Sequence, residues 1–269
     1  NHSRVNISYL CAQKNIASNI NQFDKRLRKN LPKISYLTNI NWSNVDLLFL
    51  SLPNGEAQKI TKKLFKYNHL KFIDLSADFR IESVKEYKKW YSLKHGAKNL
   101  VKKSIYSTPE FTKKNIKNYR IIANPGCYPT SVQLALIPLM KKSLIKTKNI
   151  IIDAKSGYSG AGKNYKSKFK HKNIDSSIFA YGIERHRHMS ELDQQFNKIL
   201  KSKFEYSFNP HLLPTFRGIL STIYLELKNE INIKKIYNEL KSFHSKNIFI
   251  KIMKINTPLG SGNVLNTNN

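Results

Sequence analysis

Acidic residues and cysteines are both scarce in this sequence, with 17 Asp and Glu against 47 Lys and Arg, and only 2 Cys. Two cysteines cannot build a disulfide framework, so a disulfide-held secreted scaffold is excluded and a reducing cytoplasm is the expected home. No run of 18 apolar residues occurs, which excludes a transmembrane helix and with it a membrane partner. No charged-then-apolar leader opens the chain. It begins at Asn1 rather than Met, so a fragment is expected. Basic stretches with interleaved aromatics, zinc knuckles and RNP motifs are also missing. The net charge of +30 is therefore read as a diffuse solvated surface, in keeping with a wealth of Lys, Asn and Ile, whose codons are A/T-rich. No specific nucleic-acid partner is expected, although such a field draws in small anions. The 269 residues suffice for one large domain or two of ordinary size.

What is present centres on Ala123-Asn124-Pro125-Gly126-Cys127-Tyr128-Pro129-Thr130. An apolar run, Tyr119 to Ile122, precedes it, and Val132, Ala135, Leu136 and Leu139 follow at helical spacing. Cys127 is thus placed at a strand-to-helix turn, where unpaired N–H groups and the helix dipole favour thiolate over thiol. The alternative is a buried, inert cysteine. Turn residues on both sides favour the nucleophile.

Upstream, Val5 to Leu10 alternates as a strand with Cys11 packed at its end, and a polar loop follows to about Asn44. Val45 to Leu52 is a continuous apolar run of the doubly covered parallel type. Pro53-Asn54-Gly55 turns it into a helix over 56–67, and a strand from Lys71 to Leu75 delivers Ser76-Ala77-Asp78-Phe79-Arg80 at its carboxyl end. Ligands collect at such ends. Tyr87, Trp90, Tyr91 and Tyr106 are read as packing residues. Downstream, a strand over 149–154 leads into a glycine-rich loop, Ser156 to Lys163, whose backbone can approach an anion closely. Its lysine lacks Walker A spacing. A basic exposed loop is expected from Lys166 to Ser177. The segment 181–192 then crowds His186, Arg187, His188 and Glu191 together. No partner set for a metal stands nearby, so acid/base histidine beside an anion-binding arginine is the better fit. Segments 219–227 and 248–255 alternate as half-buried strands around a helix over 233–243, which predicts a largely antiparallel sheet with one face covered.

Asn-Pro-Gly-Cys127-Tyr-Pro-Thr, the loop 156–163, His186-Arg187-His188 with Glu191, and Pro210-His211-Leu212-Leu213-Pro214-Thr215-Phe216-Arg217-Gly218 occur in one order. With Leu52-Pro53-Asn54-Gly55, Ser76 to Arg80 and Tyr106-Ser107-Thr108-Pro109-Glu110, they make the chain resemble the N-acetyl-gamma-glutamyl-phosphate reductases, the arginine-pathway family of the semialdehyde dehydrogenase superfamily. The resemblance implies an α/β fold. A Rossmann-type parallel-sheet domain would occupy 1–124, with its first βα unit and glycine-rich dinucleotide loop lying outside the chain. A glyceraldehyde-3-phosphate-dehydrogenase-like α+β catalytic and dimerisation domain with a mainly antiparallel sheet would occupy 125–269, its closing strand and helix also outside. Weak NADPH binding by these 269 residues is the corresponding expectation. Ser107-Thr108 and Ser190 stand where the family prefers Gly-Leu and Pro.

Function follows from the same resemblance: NADPH-dependent reduction of an acyl phosphate through a Cys127 thioester, releasing phosphate, in a homodimer or homotetramer. His188 is implied as acid/base with His186 as second choice, and Glu191 as the group that orients the imidazole. Arg80, Arg187, Arg217, Asn124 and Ser156 are implied substrate contacts. Leu52, Pro53, Gly55, Ser76, Gly157, Gly160 and Ala161 are implied NADP(H) contacts, and no metal is expected. Two alternatives stay open: a reductase of carrier-protein-linked aminoadipyl or glutamyl phosphate, and an inactive fragment with nonspecific polyanion binding.

Overall fold

The computed structural model describes residues 2–27, 30–162, 173, 176–200 and 204–267. Lys163 and the expected loop 166–177, apart from Asn173, Ser176 and Ser177, lie outside them. The strand expected from Val5 contracts to β1 (Leu10–Cys11), paired in parallel with β2 (Ile34–Ser35). Alternation selects the face a strand presents, but only a neighbouring ladder satisfies its backbone, and the ladder here is two residues long. Cys11 is exposed rather than packed.

Apolar runs that end in turns build the first large sheet. Strands β3 (Leu47–Leu50), β4 (Lys71–Asp74), β5 (Ser104–Tyr106) and β6 (Ile121–Ala123) lie in the order β3-β4-β6-β5, all parallel. After β3, Gly55 adopts φ +93°, a left-handed conformation that suits glycine, and opens α1 (Glu56–Leu64). Ala57 and Leu64 of this helix pack with Leu50, Phe72 and Ile121, all fully or nearly buried. The opposite face is open among the described residues: Phe49 is 55% exposed and Leu75 40%. The run 45–52 is therefore covered on one side, not both. Helices α2 (Val84–Tyr91), α3 (Lys98–Val101) and α4 (Pro109–Thr112) occupy the stretch whose pattern is mixed.

The register aligns Leu50 with Asp74, and Ala123 with both Asp74 and Tyr106. All four following loops consequently leave from one edge of the sheet. Asp78, fully buried, ties two of them together. Its carboxylate accepts from the backbone N–H of Gly55 (2.8 Å) and Gln58 (3.0 Å) and from the Tyr87 hydroxyl (2.7 Å). The N-terminus of α1 is thereby capped from within the protein.

After β6 the chain enters α5 (Cys127–Lys141) and then a second sheet of β7 (Ile150–Gly157), β8 (Phe179–Ala180), β9 (Tyr206–Leu213) and β10 (Ile219–Tyr224), ordered β10-β7-β9-β8. β10–β7 and β8–β9 are antiparallel, whereas the central β7–β9 ladder is parallel, so the sheet is mixed. α5, α6 (Met189–Ile199) and α7 (Ile233–Phe243) cover one face, with Val132, Leu136, Leu192, Phe196 and Ile236 packed on Ile150, Ile152 and Ala154. Ile151 and Tyr224 point the other way and remain exposed. The strand expected over 248–255 does not form. Ile248 is 82% exposed and the segment has no ladder partner among the described residues. No described helix is long and apolar enough to cross a membrane.

Asp78→Ala leaves two amides and the buried Tyr87 O–H without their acceptor, and we expect a loss of roughly 2–4 kcal/mol in urea unfolding at unchanged m-value. A loss under about 0.5 kcal/mol would contradict the capping role.

Candidate active site

Strand β6 ends at Ala123 and α5 begins at Cys127, which leaves Asn124, Pro125 and Gly126 to make the turn. The Asn124 N–H continues the ladder to the Asp74 carbonyl (2.8 Å), so the turn starts in register with the sheet edge. Cys127 then occupies the first position of a 15-residue helix. Its thiol is exposed, because two cavities meet at it. Reachability and solvation differ here: the sulfur has free surface, yet protein surrounds it closely. Burial pushes the Cys127 thiol up from its ordinary value, and the Glu191 carboxylate adds to the rise. The backbone N–H groups of Tyr128 and Cys127 and the Arg80 charge work in the opposite direction and do not win. The helix terminus does face the sulfur, but the expected depressed pKa is not what this environment produces.

Glu191, in the first turn of α6, is fully buried and organises the turn. Its Oε2 accepts from the Gly126 N–H (2.8 Å) and the Tyr106 hydroxyl (3.0 Å), and its Oε1 accepts from Arg80 Nη1 (3.1 Å). His188 Nε2 lies 4.0 Å from Oε1, beyond hydrogen-bond reach. Glu191 therefore holds the turn before Cys127 rather than orienting the imidazole directly. Gly126 is what lets these groups converge. A Cβ there would sit 2.5 Å from His188 Nε2 and 2.9 Å from Glu191 Oε1.

His188 is buried, and burial, aided by the charges of His186, Arg80 and Arg187, holds its imidazole well below the ordinary histidine range. It is neutral at pH 7 and able to accept a proton. Its Nδ1 has no partner among the described residues. His186 Nδ1 instead accepts the His188 backbone N–H (3.2 Å), and the two rings meet edge-on at 4.7 Å. Among the described residues no group of three His, Cys, Asp or Glu side chains is placed to hold a metal ion.

The smaller cavity, about 320 Å³, joins Cys127 to His186, His188, Arg187, Arg185, Tyr181 and Trp90. The larger, about 1030 Å³, joins Cys127 to Asn124, Thr108, Arg217 and Arg26. Ser156 and Gly160 border both. Ser156 is buried and its Oγ accepts from the Tyr128 hydroxyl (2.8 Å), so helix α5 and strand β7 are pinned together beside the sulfur.

Arg80 is not available to a substrate. Besides Glu191 it donates Nε to the Asn124 carbonyl (2.7 Å) and Nη2 to the Leu75 carbonyl (3.1 Å), and its side chain is only 9% exposed. Ser76 is likewise spent: its buried hydroxyl donates to Asp74 (2.6 Å) and accepts from the Asp78 N–H (3.2 Å). Leu52, Pro53 and Gly55 leave the same sheet edge but border neither cavity at Cys127, and the Gly55 N–H is taken by Asp78. Gly157 borders the larger cavity, and a Cβ there would strike the backbone of Phe216 and Arg217 at 2.7 Å, so this glycine also permits close loop packing. Gly160 has nothing within 4 Å of such a Cβ among the described residues and, with Ala161 in the smaller cavity, opens toward the site.

Gly126 as a spacing residue, Tyr106 as a donor and Arg185 as a cavity residue were all missed by sequence reasoning. Gly126 stood beside Cys127 in the motif, where a glycine next to a nucleophile was a usable signal. No local signal pairs Tyr106 with a residue 85 positions away.

The chain matches family models described as semialdehyde dehydrogenase, NAD binding domain, over residues 1–119, and semialdehyde dehydrogenase, dimerisation domain, over residues 127–269. It is 39% identical over 254 residues to a probable N-acetyl-gamma-glutamyl-phosphate reductase, chloroplastic, of Arabidopsis thaliana, covering 94% of this chain and 63% of that protein. Against the N-acetyl-gamma-glutamyl-phosphate reductase of Brachyspira hyodysenteriae it is 40% identical over 262 residues, covering 94% and 74%. Among solved structures, a probable aspartate-semialdehyde dehydrogenase from Pseudomonas aeruginosa superposes with a TM-score of 0.62 at 11% identity, over 97% of this chain and 77% of that one. At that identity the likeness concerns the fold.

Because its thiol lies above the ordinary value of 9.0, Cys127 should show an iodoacetamide rate that is still rising with pH beyond that point. A plateau reached below pH 7 would mean that the helix terminus prevails. Gly126→Ala should displace His188 or Glu191 and cost about 1–3 kcal/mol in denaturant unfolding; an unchanged midpoint would show that the turn tolerates a Cβ.

Proposed function

We propose, for a chain that belongs to the N-acetyl-gamma-glutamyl-phosphate reductase branch of the semialdehyde dehydrogenase family, an oxidoreductase that takes up an acyl phosphate on Cys127 and releases the semialdehyde. One observation carries the reading: a free, reachable thiol at a helix N-terminus, shared by two cavities, one of which also holds a neutral buried imidazole. The division of labour is part of the proposal. The smaller cavity takes N-acetyl-γ-glutamyl phosphate and the larger takes the nicotinamide end of NADP(H). A nucleotide-binding half over 1–124 and a catalytic half over 125–269 supply the two walls.

In the first step Cys127 Sγ attacks the acyl carbon, and its proton passes to His188. The S–C bond forms, the C–O bond to phosphate breaks, and His188 returns the proton to the departing phosphate. A thiol and an imidazole that are both neutral at rest suit this exchange, since charge develops only as the sulfur attacks. The N–H groups of Cys127 and Tyr128 are the nearest backbone donors to the reacting centre. Arg187 offers a guanidinium to the phosphate within the small cavity.

The larger cavity fits the cofactor's polar edge. Thr108 Oγ1 is buried without a partner among the described residues, and the unobstructed Gly160 admits a flat ring close to the backbone. Thr108, Asn124 and Gly160 would hold it there. When bound, NADPH supplies the hydride that reduces the acyl group on sulfur. Action in a reducing compartment such as the cytoplasm, as a homo-oligomer, belongs to the same proposal, because Cys127 must stay a free thiol.

Mixed with N-acetyl-γ-glutamyl phosphate in the absence of NADPH, the protein should release about one phosphate per chain and carry an acyl mass on Cys127. Cys127→Ser should give neither. His188→Asn should slow acylation by about 10²–10⁴-fold. Phosphate release with Cys127 unmodified would overturn the proposal.

A further inference from the structure

The small cavity contains more than the acyl-transfer chemistry uses. Trp90, on α2, borders it from the nucleotide-type half, and Arg185 borders it from the segment before His186. The two are a unit. The Arg185 guanidinium carbon lies 5.6 Å from the Trp90 ring centroid, and Nη2 donates to the Lys89 carbonyl at the end of the same helix. A guanidinium held against an aromatic face and a backbone acceptor has lost much of its rotational freedom before any ligand arrives. Trp90 is half-buried, so part of its indole still faces the cavity.

The charge inventory is one-sided. Arg185 and Arg187 border the cavity, and no Asp or Glu does among the described residues. An α-carboxylate is favoured there. An α-ammonium would lose water beside two cations with no acid to pair with it. Acylating that nitrogen removes its charge and adds a short apolar group, for which an aromatic wall is the natural complement.

We infer that Trp90 and Arg185 form the specificity end of the site: Arg185 pairs with the substrate's α-carboxylate, and the Trp90 face packs on the acyl group of an uncharged α-nitrogen. The assignment rests on the reading that the acyl phosphate enters the small cavity. It makes N-acylation a requirement imposed by the protein's own cations rather than a passive label on the substrate.

Protection of Cys127 from iodoacetamide tests this without NADPH and without turnover. The labelled peptide is followed by mass spectrometry, with each variant compared to its own unprotected rate. N-acetyl-L-glutamate should protect at concentrations at least about tenfold below L-glutamate. Trp90→Ala should shrink that preference to about twofold and Trp90→Phe should retain most of it. Arg185→Met should weaken protection by both ligands about equally, by roughly tenfold. Equal protection by the two ligands in the unmodified protein, or a preference that survives Trp90→Ala, overturns the assignment. If Cys127 is acylated by N-acetyl-γ-glutamyl phosphate yet protection does not discriminate, only Trp90 and Arg185 lose their role. If Cys127 is not acylated at all, the underlying chemistry fails as well.

Discussion

One buried carboxylate holds the site in shape. Glu191 receives the Gly126 N–H, the Tyr106 hydroxyl and the Arg80 guanidinium with no exposure to solvent, and each donor comes from a different part of the chain. A carboxylate removed from water is costly unless its oxygens are satisfied and its charge is offset, and here both conditions are met by the surrounding structure. Removing any one donor leaves the others around an under-compensated charge. The turn before Cys127, the loop after β4 and the start of α6 are thereby fixed to one another, and the sulfur inherits its position from all three.

The same arrangement sets the electrostatics. Glu191 pushes the thiol up, Arg80 pulls it down, and the crowding that lets them meet desolvates both Cys127 and His188. The result is a resting pair of neutral groups in place of a standing thiolate and imidazolium. A permanent ion pair would need a polar shell around it. A neutral pair tolerates the tight packing that Gly126 permits, and under the proposed chemistry charge separation would wait for an electrophilic carbonyl.

Strand-turn-helix order at Cys127 and the clustering of His186, His188 and Glu191 were legible in the sequence, because local pattern determines them. Cys127 does open a helix, and the segment 181–192 does fold against it. Roles were less legible. Arg80 reads as a substrate ligand because an arginine at the carboxyl end of a parallel strand commonly is one, yet three acceptors claim it, two of them distant in sequence. The donors of Gly55 and Ser76 are likewise taken, by Asp78 and Asp74. The segment 248–255 shows the limit of alternation, which specifies faces but supplies no ladder partner. The misses at Arg80 and Gly55 turn on contacts between residues far apart in sequence, about which periodicity is silent, whereas Ser76 pairs with an aspartate two residues away.

Placing one sulfur at the junction of two cavities has a further consequence. Under the proposed division of the two cavities, a reactant on either side would reach the same atom, so acylation and reduction would need no movement of the nucleophile. Arginines line both spaces, Arg185 and Arg187 the smaller and Arg26 and Arg217 the larger, whereas the smaller adds the imidazoles of His186 and His188. A charge of +30 spread over the whole surface draws anions of every kind toward the protein and cannot choose among them. Under the proposed chemistry, selection would therefore fall to cations held in place beside the sulfur, and in the small cavity Arg185 is held by the Trp90 ring and the Lys89 carbonyl.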